Sequence, residues 1–166
     1  VCRALAPIVR PDAILVSDEA LQGTSALGTA RILAAAIGRK SPDLVLTATE
    51  SSDGYTGTVP EQMAEVLGLP SVTFAKSISV DGSTVKVQRQ TEAGYDEVTC
   101  SLPAVVSVTA GVVEPRYPSF KGIMAAKAKP VQNVTTADLG ITSVSGAQAI
   151  TAVADAPVRE AGEGLA

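Results

Sequence analysis

The first half of the chain alternates continuous apolar runs with helical apolar stripes, and this alternation limits the possible folds more than any other feature. The apolar runs lie at 13–17, 44–47 and 71–74. Short runs of this kind are typical of strands that are buried on both faces of a sheet. Two helical stripes separate them: Ala30, Leu33, Ala34 and Ile37, then Val59, Met63, Val66 and Leu67. A β-α-β-α-β order predicts a parallel sheet with right-handed crossovers.

The ends of both predicted helices carry capping signals. The segment Gly23-Thr24-Ser25 offers a turn and an N-cap, and Gly38 offers a stop. Thr58 stands three residues before Glu61, a spacing that predicts a reciprocal capping box at the start of the second helix. Gly68 is expected to end that helix.

The second half predicts β-hairpins rather than crossovers. Two alternating segments, 73–80 and 84–91, flank a tight Asp81-Gly82 turn, and a shorter strand follows at 97–101. The apolar run 104–109 is expected to be an internal strand. A short helix rich in Ala and Lys should then end at Pro130.

Composition excludes several classes of function. The 166 residues fit one domain, 1–166, and 46% of them are apolar, which is enough to form a core. A net charge of −4 argues against a nucleic-acid partner, because phosphate contacts need clustered cations. Histidine and Trp are absent and aromatics make up 3%. We therefore expect neither stand-alone acid–base catalysis nor a flavin ring enclosed by this chain alone.

The sequence also bears on cell compartment. No apolar run reaches the roughly 18 residues that a membrane span needs, and no export leader is visible, so a cytoplasmic location is expected. The two cysteines, Cys2 and Cys100, have no metal-binding or redox spacing and are interpreted as isolated reduced thiols.

Two specific motifs follow one another in the second half. Leu102-Pro103-Ala104-Val105-Val106 is followed by Glu114-Pro115-Arg116-Tyr117-Pro118-Ser119-Phe120, which continues to Lys127. With 43–46, 52–60 and 137–140, these segments closely resemble the beta subunit of electron-transferring flavoproteins. The likeness runs nearly end to end. It departs from the family at the start, where a Val-Lys-Gln-Val-Pro-Asp type segment is missing, and after Gly164, where the C-terminal arm is short. We therefore expect a fragment with a loosely held tail at 155–166.

The resemblance implies a fold and a function. The fold is α/β: a three-layer, Rossmann-like arrangement of the adenine nucleotide alpha hydrolase type, with a mostly parallel sheet flanked by helices and β-hairpin additions in the second half. The function is electron carriage, not enzyme catalysis. The chain would pair with an alpha subunit that holds most of an FAD. The heterodimer would accept electrons from acyl-CoA or other flavin dehydrogenases and pass them toward a membrane quinone oxidoreductase.

The loop that follows the second strand is the candidate nucleotide site. Its glycines permit close backbone approach, and the following helix N-terminus favours an anion, although a structural turn is the better interpretation from the loop sequence alone. The resemblance implies that the loop binds AMP. Bifurcating relatives hold a second FAD with an Asp-Gly-Asp-Thr-Ala-Gln type sequence, from which Tyr55 and Gly57-Thr58 depart. The expected contacts are Ala48, Thr49, Glu50, Asp53, Gly54, Thr56, Gly57, Thr58 and Val59. Capping or ribose contact is favoured for Glu50 and Asp53 over a paired-carboxylate acid/base site.

The segment 114–129 is the second candidate site. Phe120, Ile123 and Met124 recur at i, i+3 and i+4 after a proline-stiffened turn, and periodicity alone favours a core-facing helix. The resemblance instead implies a recognition segment in which Tyr117, Phe120, Ile123 and Met124 dock on a dehydrogenase, with Phe120 as the anchor.

Two functions other than electron transfer are also considered for a chain with this pattern of strands and helices. A universal-stress-type nucleotide-binding module shares the alternating strands and helices but does not explain the Glu-Pro-Arg-Tyr segment. An ATP pyrophosphatase-like hydrolase would need a glycine-rich phosphate loop after the first strand, and none is visible. Arg89 is expected on a solvated strand face without a role.

Overall fold

Helices and strands alternate along the chain until the hairpins begin. The computed structural model describes residues 13–114, 117–144 and 151–158. The strands are β1 (Ala13–Val16), β2 (Leu44–Ala48), β3 (Ser71–Asp81), β4 (Thr84–Thr91), β5 (Gly94–Ser101), β6 (Ala104–Val108) and β7 (Val131–Val134). The α-helices are α1 (Ala26–Gly38), α2 (Val59–Leu67) and α3 (Phe120–Lys127), and 3₁₀ turns lie at Glu19–Leu21 and Ala137–Leu139.

The main sheet has five strands in the order β2-β6-β3-β4-β5. Its β2–β6 and β6–β3 pairs are parallel, and its β3–β4 and β4–β5 pairs are antiparallel. In β6, Ala104 to Ser107 are all buried, as expected for a strand covered on both faces. A mixed sheet flanked by helices confirms the predicted α/β fold class and the hairpin additions.

The first strand departs from the predicted single parallel sheet. In the described residues, β1 pairs in parallel with β7, and all four of its residues have a partner there, from Ala13–Val131 to Val16–Val134. Leu15 is 43% exposed, so the expectation of a strand buried on both faces was wrong for β1. Leu46 of β2 is also exposed, because β2 lies at the edge of the main sheet.

Small residues decide which helix faces are buried. One core cluster joins Ala30 and Ala34 of α1 to Met63 and Ala64 of α2, and to Val45 and Val105 of the sheet. Because alanines let α1 approach closely, the bulkier Leu33 of the predicted stripe is exposed, and Ile32 is buried instead. Val66 of the second predicted stripe is likewise exposed. Both stripes were therefore wrong in one member.

Strands β3, β4 and β5 form an antiparallel unit, which we call the hairpin arm. β3 runs for 11 residues and merges the predicted third strand with the first arm of the hairpin. Its register shifts between Val72 and Ala75, as in a β-bulge. Asp81 pairs with Thr84, so the turn consists of Gly82 and Ser83 and not of Asp81-Gly82.

The C-terminal part contributes few buried side chains where it is described, among them Val134 of β7. Ala126 is the buried residue of α3. Residues 151–158 are exposed and have no regular secondary structure. The loosely held tail at 155–166 stays a prediction. Cys2 and residues 159–166 lie outside the described residues. Cys100 is free and half-buried.

Candidate functional site

The loop between β2 and α2 is fixed to the sheet at its first residue. Ala48 ends β2, and the hydroxyl of Thr49 donates to the carbonyl of Val108 at the end of β6, with 2.9 Å between the oxygens. The loop therefore leaves from the carboxyl ends of two parallel strands. This is the edge where α/β sheets usually bind their ligands.

Local hydrogen bonds shape the middle of the loop. Oδ1 of Asp53 accepts from the Ser51 hydroxyl at 2.5 Å and from the Gly54 N–H at 2.7 Å. These bonds, led by the one from Ser51, hold the pKa of Asp53 below its ordinary value. Tyr55 and Gly57 both have positive φ angles, 49° and 63°. Asp53 therefore holds a turn, and no acid/base pair with Glu50 is formed by these contacts.

The N-terminus of α2 lacks a side-chain cap. The expected capping box between Thr58 and Glu61 was wrong, because Thr58 caps no backbone N–H and has helix-like dihedrals instead of extended ones. Its hydroxyl instead accepts from the side-chain amide of Gln62 at 3.4 Å. Ser25 caps α1 and Ser119 caps α3. Pro60 has no N–H, so the first-turn donors of α2 without a side-chain cap are the N–H groups of Val59 and Glu61.

The loop is acidic. Glu50, Asp53 and Glu61 lie in and beside it, and no Lys or Arg occurs from 41 to 75. Oε2 of Glu50 lies 3.6 Å from the point where a Cβ on Gly57 would stand, and no other atom lies within 4 Å of that point. Within residues 41–75, an anion bound here can be held only by backbone N–H groups, hydroxyl donors and the helix dipole.

Three buried side-chain oxygens around the loop have no hydrogen-bond partner in the protein. They are Oγ1 of Thr47, Oε2 of Glu61 and Oε1 of Gln62. Thr47 precedes the loop and the other two residues lie in the first turns of α2. Buried acceptors are normally satisfied by protein, water or ligand. Sequence reasoning missed them, because no pattern distinguishes a buried oxygen from an exposed one.

A strained residue lies at the same edge of the sheet. Phe74 has a φ of 57°, which is rare for a bulky side chain, and its N–H donates to the hydroxyl of buried Ser107 at 3.2 Å. The guanidinium carbon of Arg89 lies 5.9 Å from the Phe74 ring centroid. Arg89 is therefore half-buried over a ring and not on a solvated strand face, which corrects the expectation for this residue.

Four large apolar side chains are exposed at and just before α3. The exposed fractions are 90% for Tyr117, 79% for Phe120, 43% for Ile123 and 49% for Met124. We call these four residues the α3 surface. The Ser119 hydroxyl accepts from the Gly122 N–H at 3.1 Å and fixes the start of the helix. Phe120 is thus not a core residue, and the alternative of a core-facing helix is excluded for it.

Metal-binding clusters and membrane-spanning helices are absent from the part of the chain that the structure describes. It contains no group of three or more His, Cys, Asp or Glu side chains that could hold a metal ion. Within the same residues, no helix has both the length and the apolar character needed to cross a membrane.

Comparison with known proteins adds a family assignment. The profile described as "Electron transfer flavoprotein domain" matches residues 2–139. The chain is 38% identical over 157 residues to the electron transfer flavoprotein subunit beta of Mycobacterium tuberculosis, covering 91% of this chain and 59% of that protein. It is 43% identical over 130 residues to the protein of the same name from Mycobacterium leprae, covering 78% and 49%. The Megasphaera elsdenii protein is 35% identical over 133 residues, covering 76% and 49%. The chain thus spans about half to three-fifths of the length of these relatives.

Proposed function

Since this chain belongs to the electron transfer flavoprotein family, we propose that it is one nucleotide-binding domain of the beta subunit and works as a heterodimer with an alpha subunit. The alpha subunit holds most of an FAD. The complex accepts electrons from acyl-CoA or other flavin dehydrogenases and passes them toward a membrane quinone oxidoreductase. The chain supplies scaffold, nucleotide site and docking surface without catalysing a reaction. The proposal also assigns the complex to the cytoplasm, which cell fractionation would test.

The observation that carries the nucleotide part of the proposal is the uncapped N-terminus of α2 behind a loop with positive φ at Gly57. Uncapped first-turn N–H groups attract a phosphate, and a glycine lets it approach the backbone. The ligand proposed is AMP. The ribose hydroxyls and the adenine amine of AMP are donors that can satisfy acceptors such as Oε1 of Gln62 and Oε2 of Glu61.

The docking part of the proposal rests on the α3 surface. Exposed Phe120 stands next to a capped helix start, so the chain holds a large apolar side chain in solvent on an ordered backbone. A rigid aromatic anchor contributes strongly to binding because little side-chain entropy is lost when it enters a pocket. The occupied pocket would belong to the dehydrogenase.

Co-expression with the alpha subunit from the same organism tests the proposal. We expect a yellow one-to-one complex, and AMP in the nucleotide fraction released by denaturation and identified by mass spectrometry. The chain purified alone should be colourless. Gly57→Val should remove AMP while FAD stays, because a β-branched residue is strained at a φ of 63°. Gly82→Val is the matched control, since its φ of 57° imposes a similar strain in a hairpin turn outside the loop and nothing lies within 4 Å of its added Cβ, so AMP should stay. FAD at this loop would refute the AMP assignment, and absence of a complex would refute the subunit assignment.

A further inference from the structure

We infer that the α3 surface is recognised by a protein pocket that is apolar at its centre and lined by carboxylates at its rim. This inference rests on the proposed docking role and names the chemistry of the partner. Charge is unevenly distributed along the chain.

Positive charge is concentrated around α3. Four of the chain's 13 Lys and Arg residues, and none of its 17 Asp and Glu residues, lie between 115 and 137. These cations are Arg116, Lys121, Lys127 and Lys129. The remaining residues therefore carry nine basic and 17 acidic groups, a net charge of −8, whereas this segment carries +4. A chain that is acidic as a whole thus presents a basic segment where its largest apolar side chains are exposed.

The lysines lie beside the apolar side chains on the same short helix. Lys127 is four residues after Ile123 and three after Met124, and Lys121 is three residues before Met124. Residues three and four apart are adjacent on a helix surface. Lys121 and Lys127 are exposed, and neither makes an ion pair within the part of the chain that the structure describes. Exposed apolar side chains with an unpaired basic rim fit an apolar pocket with an acidic rim.

A folded protein fits this surface better than a lipid bilayer does. α3 has eight residues, so it is about 12 Å long. Interfacial helices that bind bilayers usually bury a much longer apolar face. The cap at Ser119 also fixes the backbone from which Phe120 projects, which suits insertion into a shaped pocket.

The two kinds of side chain should act on different steps of binding. Rim charges attract an oppositely charged partner over distances up to the Debye length, about 8–10 Å in physiological salt, and so raise the association rate. An anchor that leaves water on binding mainly slows dissociation. Lysine substitutions should therefore change the association rate, and substitution of Phe120 should change the dissociation rate.

Stopped-flow measurement of the whole heterodimer with a purified acyl-CoA dehydrogenase tests the inference. For K121E/K127E we expect association at ~20 mM salt to slow ~10-fold or more, with the difference shrinking to less than ~2-fold at 0.5 M salt. The matched control is R31E/K76E, which makes the same change in net charge at two exposed positions away from α3. The control should slow association less than ~3-fold.

Each other outcome has a definite meaning. Equal effects of K121E/K127E and the control would overturn the inference, because only net charge would then matter. An unchanged rate in K121E/K127E, combined with faster dissociation in F120A, would leave the docking proposal intact and refute the acidic rim. If F120A also changes nothing, the docking proposal fails. Lysine-dependent binding to phosphatidylserine vesicles without binding to the dehydrogenase would overturn the inference in favour of a membrane.

Discussion

Substitution of Gly28 by Ala should destabilise the chain. A Cβ at this position would lie 2.6 Å from Cγ2 of Thr24 and 3.1 Å from the carbonyl oxygen of Val144. Thr24 cannot rotate away without loss, because its hydroxyl donates to the carbonyl of Leu21 at 2.6 Å. The Val144 oxygen belongs to the backbone. Overpacking of this kind typically costs ~1–3 kcal/mol, which exceeds the ~1 kcal/mol that Ala gains over Gly inside a helix.

Thermal unfolding followed by circular dichroism measures the effect. At the middle of that range the net loss is ~1 kcal/mol, which lowers the Tm of a chain of this size by ~2–4 °C. Gly38→Ala on the same helix is the matched control: nothing lies within 4 Å of its added Cβ, so the Tm should stay constant or rise slightly. If Gly28→Ala were as stable as the wild type or more stable, the close approach of the segment at Val144 to α1 would be refuted.

Three further substitutions or conditions test other parts of the structure. Phe120→Ala should cost only ~0.5 kcal/mol, because 79% of the side chain is already exposed, whereas Phe74→Ala should cost ~2 kcal/mol, and equal losses by calorimetry would contradict this. Bonds from the Thr136 hydroxyl, the Ala20 N–H and the Thr136 N–H lower the pKa of Asp18, so its stabilisation is present above about pH 4 and is lost as pH falls through the lowered value. Asp18→Asn should therefore flatten the fall in Tm between pH 5 and pH 3, and an unchanged slope would refute this contribution. Burial raises the pKa of the Cys100 thiol, so in a Cys2→Ser background it should react with a disulfide reagent more slowly than after unfolding; equal rates would contradict its partial burial.

The sequence predicted helix ends and strand limits well where the interactions that determine them lie within a few residues. Neighbouring side chains and turns determine three such limits: the N-cap at Ser25, the end of α2 at Gly68 and the bounds of β4 at 84–91. The apolar run at 104–109 predicted β6 because a strand covered on both faces needs apolar residues at every position.

Tertiary packing overrode the sequence elsewhere. Periodicity assigned Leu33 and Val66 to the core, but close packing of alanines from α1 against α2 selected a different face. Two of the three non-glycine residues with positive φ among the described residues, Tyr55 and Phe74, were unpredictable because aromatic residues do not favour positive φ. Their conformations depend on contacts made after the chain has folded.

The candidate site was predicted in part. The sequence placed the loop between a strand and a helix, which are β2 and α2 in the structure. Gly57 adopts the positive φ that such a loop needs. The absent capping box could not be foreseen, because Thr58 and Glu61 have the required spacing and only the backbone dihedrals of Thr58 prevent it. Exposure of Phe120 followed from the family resemblance and not from periodicity, which favoured burial.

The parallel pairing of β2 with β6 has a consequence for how the chain folds. Leu44 pairs with Ala104, sixty residues later, whereas β3 pairs with β4 and β4 pairs with β5 across short turns. Closing a long loop costs more chain entropy than closing a hairpin, so the hairpins can form early and β2 joins late. The bond from Thr49 to Val108 forms only after that late step. A nascent or partly folded chain would consequently acquire its hairpin arm before it acquires the loop that is proposed to bind nucleotide.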